Sequence, residues 1–253
     1  MRRVALGLAI GLISVPLAPA LADPRLDEIV YSPYVENHMV EVESRFGQEV
    51  GEGSLKGANT FVTEAEFGLN DRLSVALLTK VERAPGERRR LTKVAVESVY
   101  YLGQIPEIGI DAGLYLELAK GTNGESDGGE AKLLLAKTAG RFQGLLNIIA
   151  ERPLSGPSSE AFASYGYAAS ATWRTIGNLR LGVEAFGDLG SDKGFLKSGD
   201  TGAYVGPQLK WEGRPNGGPV ELAVDAGWLA ALGPNRSEGR SQARVNVKLE
   251  RRF

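Results

Sequence analysis

One histidine, His38, and no cysteine limit the chemistry this chain can do. Acyl transfer by a serine needs an imidazole within hydrogen-bond reach of the hydroxyl, and a third group to orient it. No serine and orienting residue are bound to converge on His38, so a rim histidine is its expected role. Absence of cysteine removes disulfides and thiolate metal sites. One histidine cannot build a transition-metal site alone, and no loop carries the ligand spacing of a calcium site. The glycine-rich stretch 121–129 lacks the Gly-Lys-Ser/Thr of a phosphate loop. No catalytic residue, no metal and no cofactor are therefore expected. Carboxylates do occur in pairs, Glu41 with Glu43 and Glu64 with Glu66. Paired carboxylates can do acid–base work, but a spacing of two is also the period of a strand, and these are read as neighbours on one strand face. Arg83, Arg88, Arg89 and Arg90 crowd one segment, where guanidinium forks suit phosphate. A formal net charge of −2 gives no reason to expect nucleic acid as a partner.

The elements that must carry these residues are strands. Residues 1–22 read as a secretory signal: Arg2 and Arg3 lead, Val4 to Val15 is apolar, and Ala20-Leu21-Ala22 is a cleavage site. The apolar run is short and broken by Pro16 and Pro19, which argues against a membrane anchor. No later stretch approaches the roughly eighteen apolar residues of a transmembrane helix. In 23–253, apolar residues instead alternate with charges. Twelve runs can be drawn, at 35–46, 58–69, 72–82, 91–102, 108–119, 130–137, 142–151, 162–174, 179–188, 201–212, 219–229 and 241–253. In the third, Leu73, Val75, Leu77, Thr79 and Val81 share one face, and Arg72, Ser74, Ala76, Lys80 and Glu82 the other. Leu133-Leu134-Leu135 and Leu145-Leu146 blur the sixth and seventh; without 130–151 the count falls to ten.

Connections after even runs are short, such as Asn70-Asp71, whereas those after odd runs tend to be long, such as 47–57 and 189–200. Short turns on one side and long loops on the other mark a membrane barrel with periplasmic turns and external loops. The apolar parity carries Phe67, Tyr100, Trp173, Trp211 and Phe253 at one set of ends and Phe46, Phe61 and Trp228 at the other. Two aromatic belts are the expectation for lipid-facing strands. The last strand stops on a terminal phenylalanine, Phe253, and this resembles the C-terminal signal of bacterial outer-membrane barrels. The fold expected is an all-β, transmembrane, antiparallel up-and-down barrel of about 12 strands.

In such a barrel the second parity is the lumen. Glu41, Glu43, Glu64, Glu66, Arg72, Lys80, Glu97, Asp111, Glu117, Arg180, Glu184, Lys210, Arg244 and Lys248 are its expected lining. Closure must bring the last strand beside the first. Arg244, Lys248 and Arg252 are then expected to face Glu41 and Glu43 and to help select the register. A barrel this size is narrower than a porin of sixteen or eighteen strands, so long charged side chains could line a narrow pore or nearly fill it.

The stretches Glu66-Phe67-Gly68-Leu69-Asn70-Asp71-Arg72-Leu73 and Tyr204-Val205-Gly206-Pro207-Gln208-Leu209-Lys210-Trp211 resemble proteobacterial outer-membrane β-barrel proteins classed loosely as transporters, including the phenol-degradation-associated group. The resemblance spans 23–253 in pattern and supplies no catalytic residues. It implies the outer membrane after export, with outer-membrane lipids, lipopolysaccharide and a small-molecule solute as partners. The function expected is a passive channel, or a transport-associated barrel, for small polar or amphiphilic molecules. A plugged structural barrel that binds lipopolysaccharide through Arg83, Arg88, Arg89 and Arg90 is one alternative. A lipid hydrolase using His38 is another.

Overall fold

The computed structural model describes residues 26–156, 162–197, 199–237 and 239–253. The expected signal segment 1–22 lies outside them. Twelve long strands form one closed antiparallel barrel. They are β1 (Met39–Glu49), β2 (Asn59–Gly68), β3 (Leu73–Arg83), β4 (Arg90–Ile105), β5 (Ile110–Gly121), β6 (Asp127–Ala139), β7 (Phe142–Ser155), β8 (Ser164–Arg174), β9 (Leu179–Ser191), β11 (Ala203–Gly213), β12 (Val220–Leu232) and β13 (Ser241–Arg252). A two-residue strand, β10 (Gly194–Phe195), folds back on the end of β9. Each long strand pairs with its neighbour in sequence, and β13 pairs with β1 from Met39↔Arg252 to Glu49↔Gln242. The ring therefore has no free edge, which is the condition for strands to cross hydrocarbon.

The expected strands at 130–137 and 142–151 are present and longer than their alternation suggested. The main boundary difference is at the first strand, which starts at Met39 and not at residue 35. His38 adopts a left-handed backbone conformation, φ 56°, and this breaks the extended run ahead of it. Short turns lie on one rim. Asn70 Oδ1 accepts hydrogen bonds from the backbone N–H groups of Arg72 and Leu73, at 2.8 and 3.0 Å, to tie the β2–β3 turn. Gly140 takes φ 60° in the tight β6–β7 turn.

The outward face is apolar on every side. Leu77, Leu116 and Leu118 stand 58%, 58% and 68% exposed, and Phe67, Tyr100, Trp173 and Trp228 are exposed near the strand ends. A continuous apolar surface of this kind is stable only against lipid. Among the described residues no helix is long and apolar enough to cross a membrane.

The interior is not empty. Residues 26–37 precede β1 and run through the lumen as an extended strap, from Leu26 and Asp27 beside Gly47 of β1 and Lys80 of β3, past Asn147, to Glu36 beside Gly68 at the rim of short turns.

Candidate functional site

The strap touches the wall where the wall has no side chain. At Gly47, an added Cβ would stand 2.0 Å from the Leu26 carbonyl oxygen; at Gly68 it would stand 1.8 Å from that of Glu36, and at Gly113 2.9 Å from the Pro33 Cβ. These three glycines are inward-facing and let a second backbone approach closely.

Side chains of the wall hold the strap. Asn147, fully buried, accepts the Tyr31 N–H at 2.7 Å and donates to the Tyr31 carbonyl at 3.0 Å. Arg244 Nη1 donates to the Glu28 carbonyl at 2.6 Å. Lys132 Nζ lies 2.6 Å from Glu28, and Lys80 Nζ 3.0 Å from Asp27. Tyr31 stacks on Tyr115 with ring centroids 4.7 Å apart, and the charges of Lys132 and Arg45 sit 4.5 and 5.4 Å from its ring. Its hydroxyl donates to Glu97 at 3.4 Å. Lower down, Tyr34 OH donates to Asp111 at 2.9 Å, and Glu36 pairs with Arg252. Glu28 lies on the strap, outside the strands; burial raises its carboxyl above the usual range, against the pull of Lys132.

Apolar contacts complete the fit. Val30 packs with Leu145 and Ile149, and Tyr31 and Val35 pack with Val99, Tyr115 and Leu134. Below the strap a cavity of about 350 Å³ remains, lined by eight carboxylates and three cationic side chains. Glu66, Glu212 and Lys210 are on its wall. Above, Tyr204 OH and Gln242 Nε2 both donate to buried Glu49, at 3.1 and 2.7 Å.

The residues read from sequence as lumen lining fall into distinct places. Glu43, Glu64 and Arg45 form one buried cluster, with Arg45 paired to both carboxylates. Glu117 pairs with Lys93 at 2.7 Å, and Lys80 with Glu82 at 2.9 Å. Glu184 accepts from Gln208 at 2.9 Å, and Lys210 lies 3.0 Å from Asp225. Arg180 is buried and donates to the Arg141 carbonyl at 3.2 Å. Arg72 is exposed at the rim beside the β2–β3 turn, where its carbonyl accepts from the Tyr101 N–H at 2.8 Å. At the seam, Lys248 reaches Glu41 at 2.8 Å and also pairs with Glu43. The other two seam cations differ from expectation. Arg244 stands opposite Gly47 and turns to the strap and the Phe186 ring, 4.2 Å away. Arg252 stands opposite Met39, below the carboxylates, and pairs with Glu36 and Glu250.

The arginine segment is partly engaged. Arg83 donates to the Gly57 carbonyl at 3.0 Å, Arg89 to Asn59 at 3.1 Å and Arg90 to Glu125 at 3.1 Å, while Arg88 is exposed. His38 is exposed at the periplasmic rim; its N–H donates to the Gly68 carbonyl at 3.2 Å and its carbonyl accepts from the Phe253 N–H at 3.0 Å. Among the described residues no group of three or more histidine or carboxylate side chains is placed to hold a metal. The strap itself, with Asp27, Glu28 and Tyr31, and its holders Asn147 and Lys132 were not singled out from sequence. Their trace was the inward apolar residues Leu134 and Leu145.

Comparison with known proteins places the fold. No protein family matches the sequence. No curated protein matches it either. Solved structures do. A channel of the outer membrane from Pseudomonas putida aligns with TM-score 0.54 at 14% identity, over 91% of this chain and 99% of that one. The KdgM porin aligns with TM-score 0.52 at 10% identity, over 84% and 99%. The same porin in complex with disordered oligogalacturonate gives 0.53 at 10% identity, over the same shares. At these identities the likeness is one of architecture: the barrel is the kind found in outer-membrane porins and channels.

Proposed function

We propose that this chain is a passive outer-membrane channel for small polar solutes, with a conducting path through the charged lumen that the strap narrows. The observation that carries the reading is the contrast of faces. Apolar side chains cover the outside, and a cavity of about 350 Å³ lined by eight carboxylates and three cations lies inside. A charged wall lowers the cost of moving a polar solute out of water, and no energy coupling is needed. The excess of carboxylates favours cations. An oligogalacturonate, the polyanion seen with the KdgM porin, would meet repulsion there. The signal read at 1–22 supports export, and arginine in the β3–β4 loop supports contact with lipopolysaccharide, Arg88 foremost.

The full-length chain reconstituted into planar bilayers should give discrete current steps and let small sugars swell liposomes. No current from the full-length chain, or from one lacking 26–36, would sink the reading. The strap favours a second reading, a filled barrel that does structural work, and that outcome would be its signature. A hydrolase built on His38 would need lipid turnover that His38→Ala abolishes.

A further inference from the structure

We infer that the lumen carries a peptide-binding site, and that residues 26–36 are its tethered, displaceable ligand and not a fixed part of the wall. Three observations support this. The first is how the strap is held. Among the described residues, no backbone–backbone hydrogen bond joins Glu28–Asn37 to a strand. The backbone is read by side chains, Asn147 at Tyr31 and Arg244 at Glu28. An amide that satisfies both the N–H and the carbonyl of one residue does for that residue what a neighbouring strand would do.

The second observation is what the wall keeps when the strap leaves. Removing one partner of a buried ion pair is costly because a charge is stranded. Here each cation that touches the strap has a second partner on the wall. Lys132 keeps Glu130 at 3.0 Å, Lys80 keeps Glu82 at 2.9 Å, and Arg45 keeps Glu43 and Glu64. Arg244 keeps the Gln242 side-chain amide oxygen, Oε1, at 2.6 Å. Withdrawal therefore strands no buried cation of the wall, whereas Asp27 and Glu28 move to water, where carboxylates are well solvated.

The third is steric preparation. Inward glycines at 47, 68 and 113 stand where the strap's main chain or Pro33 comes closest. The ligand class follows from the contacts: an extended acidic peptide with a tyrosine three residues after a glutamate, as Glu28 and Tyr31 are placed.

Two measurements test the proposal. Hydrogen–deuterium exchange on the intact chain should show amides in 28–36 exchanging at least tenfold faster than those of β1 and β2 at the same depth. Asn147→Ala should speed them further; exchange at the strands' rate would overturn the proposal. Titration calorimetry should show a synthetic peptide of residues 26–36 binding a chain that lacks them, once per barrel. Asn147→Ala should weaken this binding tenfold or more, and the absence of binding to the unaltered wall would also overturn the proposal. The effect on current rests on the channel reading. There, the shortened chain should conduct several-fold more and added peptide should restore the lower level. Peptide binding without current in any variant would overturn the channel and leave the site standing.

Discussion

Lys248, five residues from the C-terminal phenylalanine, reaches Glu41 at the start of β1 across 2.8 Å and touches Glu43 beside it. This is where the ring closes. One ammonium on β13 meets two carboxylates on β1, and a slip of the register by one residue would turn it out to lipid. The pair is expected to help select this register, since every register offers the same backbone N–H and carbonyl spacing.

Lys248→Glu should therefore destabilise the folded barrel by roughly 1–3 kcal/mol, below a fully buried pair because the lysine is partly exposed. The temperature at which the heat-modified form appears on electrophoresis reads this out. Combining it with Glu41→Lys should recover part of the loss. Arg252→Glu, at a side chain half exposed, should cost less.

Lys132 is the opposite case, with its side chain only 2% exposed between Glu28 and Glu130. Lys132→Met should leave both carboxylates without their counter-ion, at a cost of roughly 3–5 kcal/mol. The strap can leave while the barrel stays closed, so the expected result is a folded ring with 26–36 open to protease. Adding Glu130→Gln should restore part of the stability of the wall but not the hold on Glu28. A strap that stays protected in Lys132→Met would contradict this.

The periplasmic cavity should make current cation-selective. With a salt gradient across the bilayer, the reversal potential should have the sign of cation preference and shrink as ionic strength rises. Glu66→Gln with Glu212→Gln removes two of the eight carboxylates on the cavity wall and should reduce the preference. An anion preference, or no change on neutralisation, would show that the cavity does not set selectivity.

Filling a wall glycine should expel the strap without touching the ladder. In Gly68→Ala the new methyl would fall 1.8 Å from the Glu36 carbonyl oxygen, far inside contact distance. Faster exchange of the amides around Glu36 is expected. Gly128→Ala, where the nearest backbone atom lies at 3.8 Å, should leave the strap as it was.

Twelve strands and their two rims were legible in the sequence because a strand buried on neither face by protein still alternates when one face meets lipid and the other meets charge. β3 is the plain case, with Leu77 out and Lys80 in. The same rule explains where legibility failed. Leu134 and Leu145 face inward, yet they meet Tyr31, Val35 and Val30 and not solvent. Inward apolar residues blurred β6 and β7, and that blur was the footprint of the strap. Residues 26–34 show no alternation, and 35–37 were drawn into the first run although, among the described residues, 28–37 make no backbone–backbone hydrogen bond to a strand. The partners of Arg244 were missed for another reason: parity gives the face of a residue but not which way a long side chain turns.

The three glycine contacts also make the strap's position all-or-none. Leu26, Pro33 and Glu36 each rest on a site that tolerates no Cβ on the wall, and these rests are spread over β1, β5 and β2. Sliding the strap by one residue would bring other groups against walls that do carry side chains, so intermediate depths are excluded by volume. A seated strap and a withdrawn one are the two arrangements left. Current through single barrels should then switch between two levels with sharp transitions, and its histogram should hold two peaks with little between them.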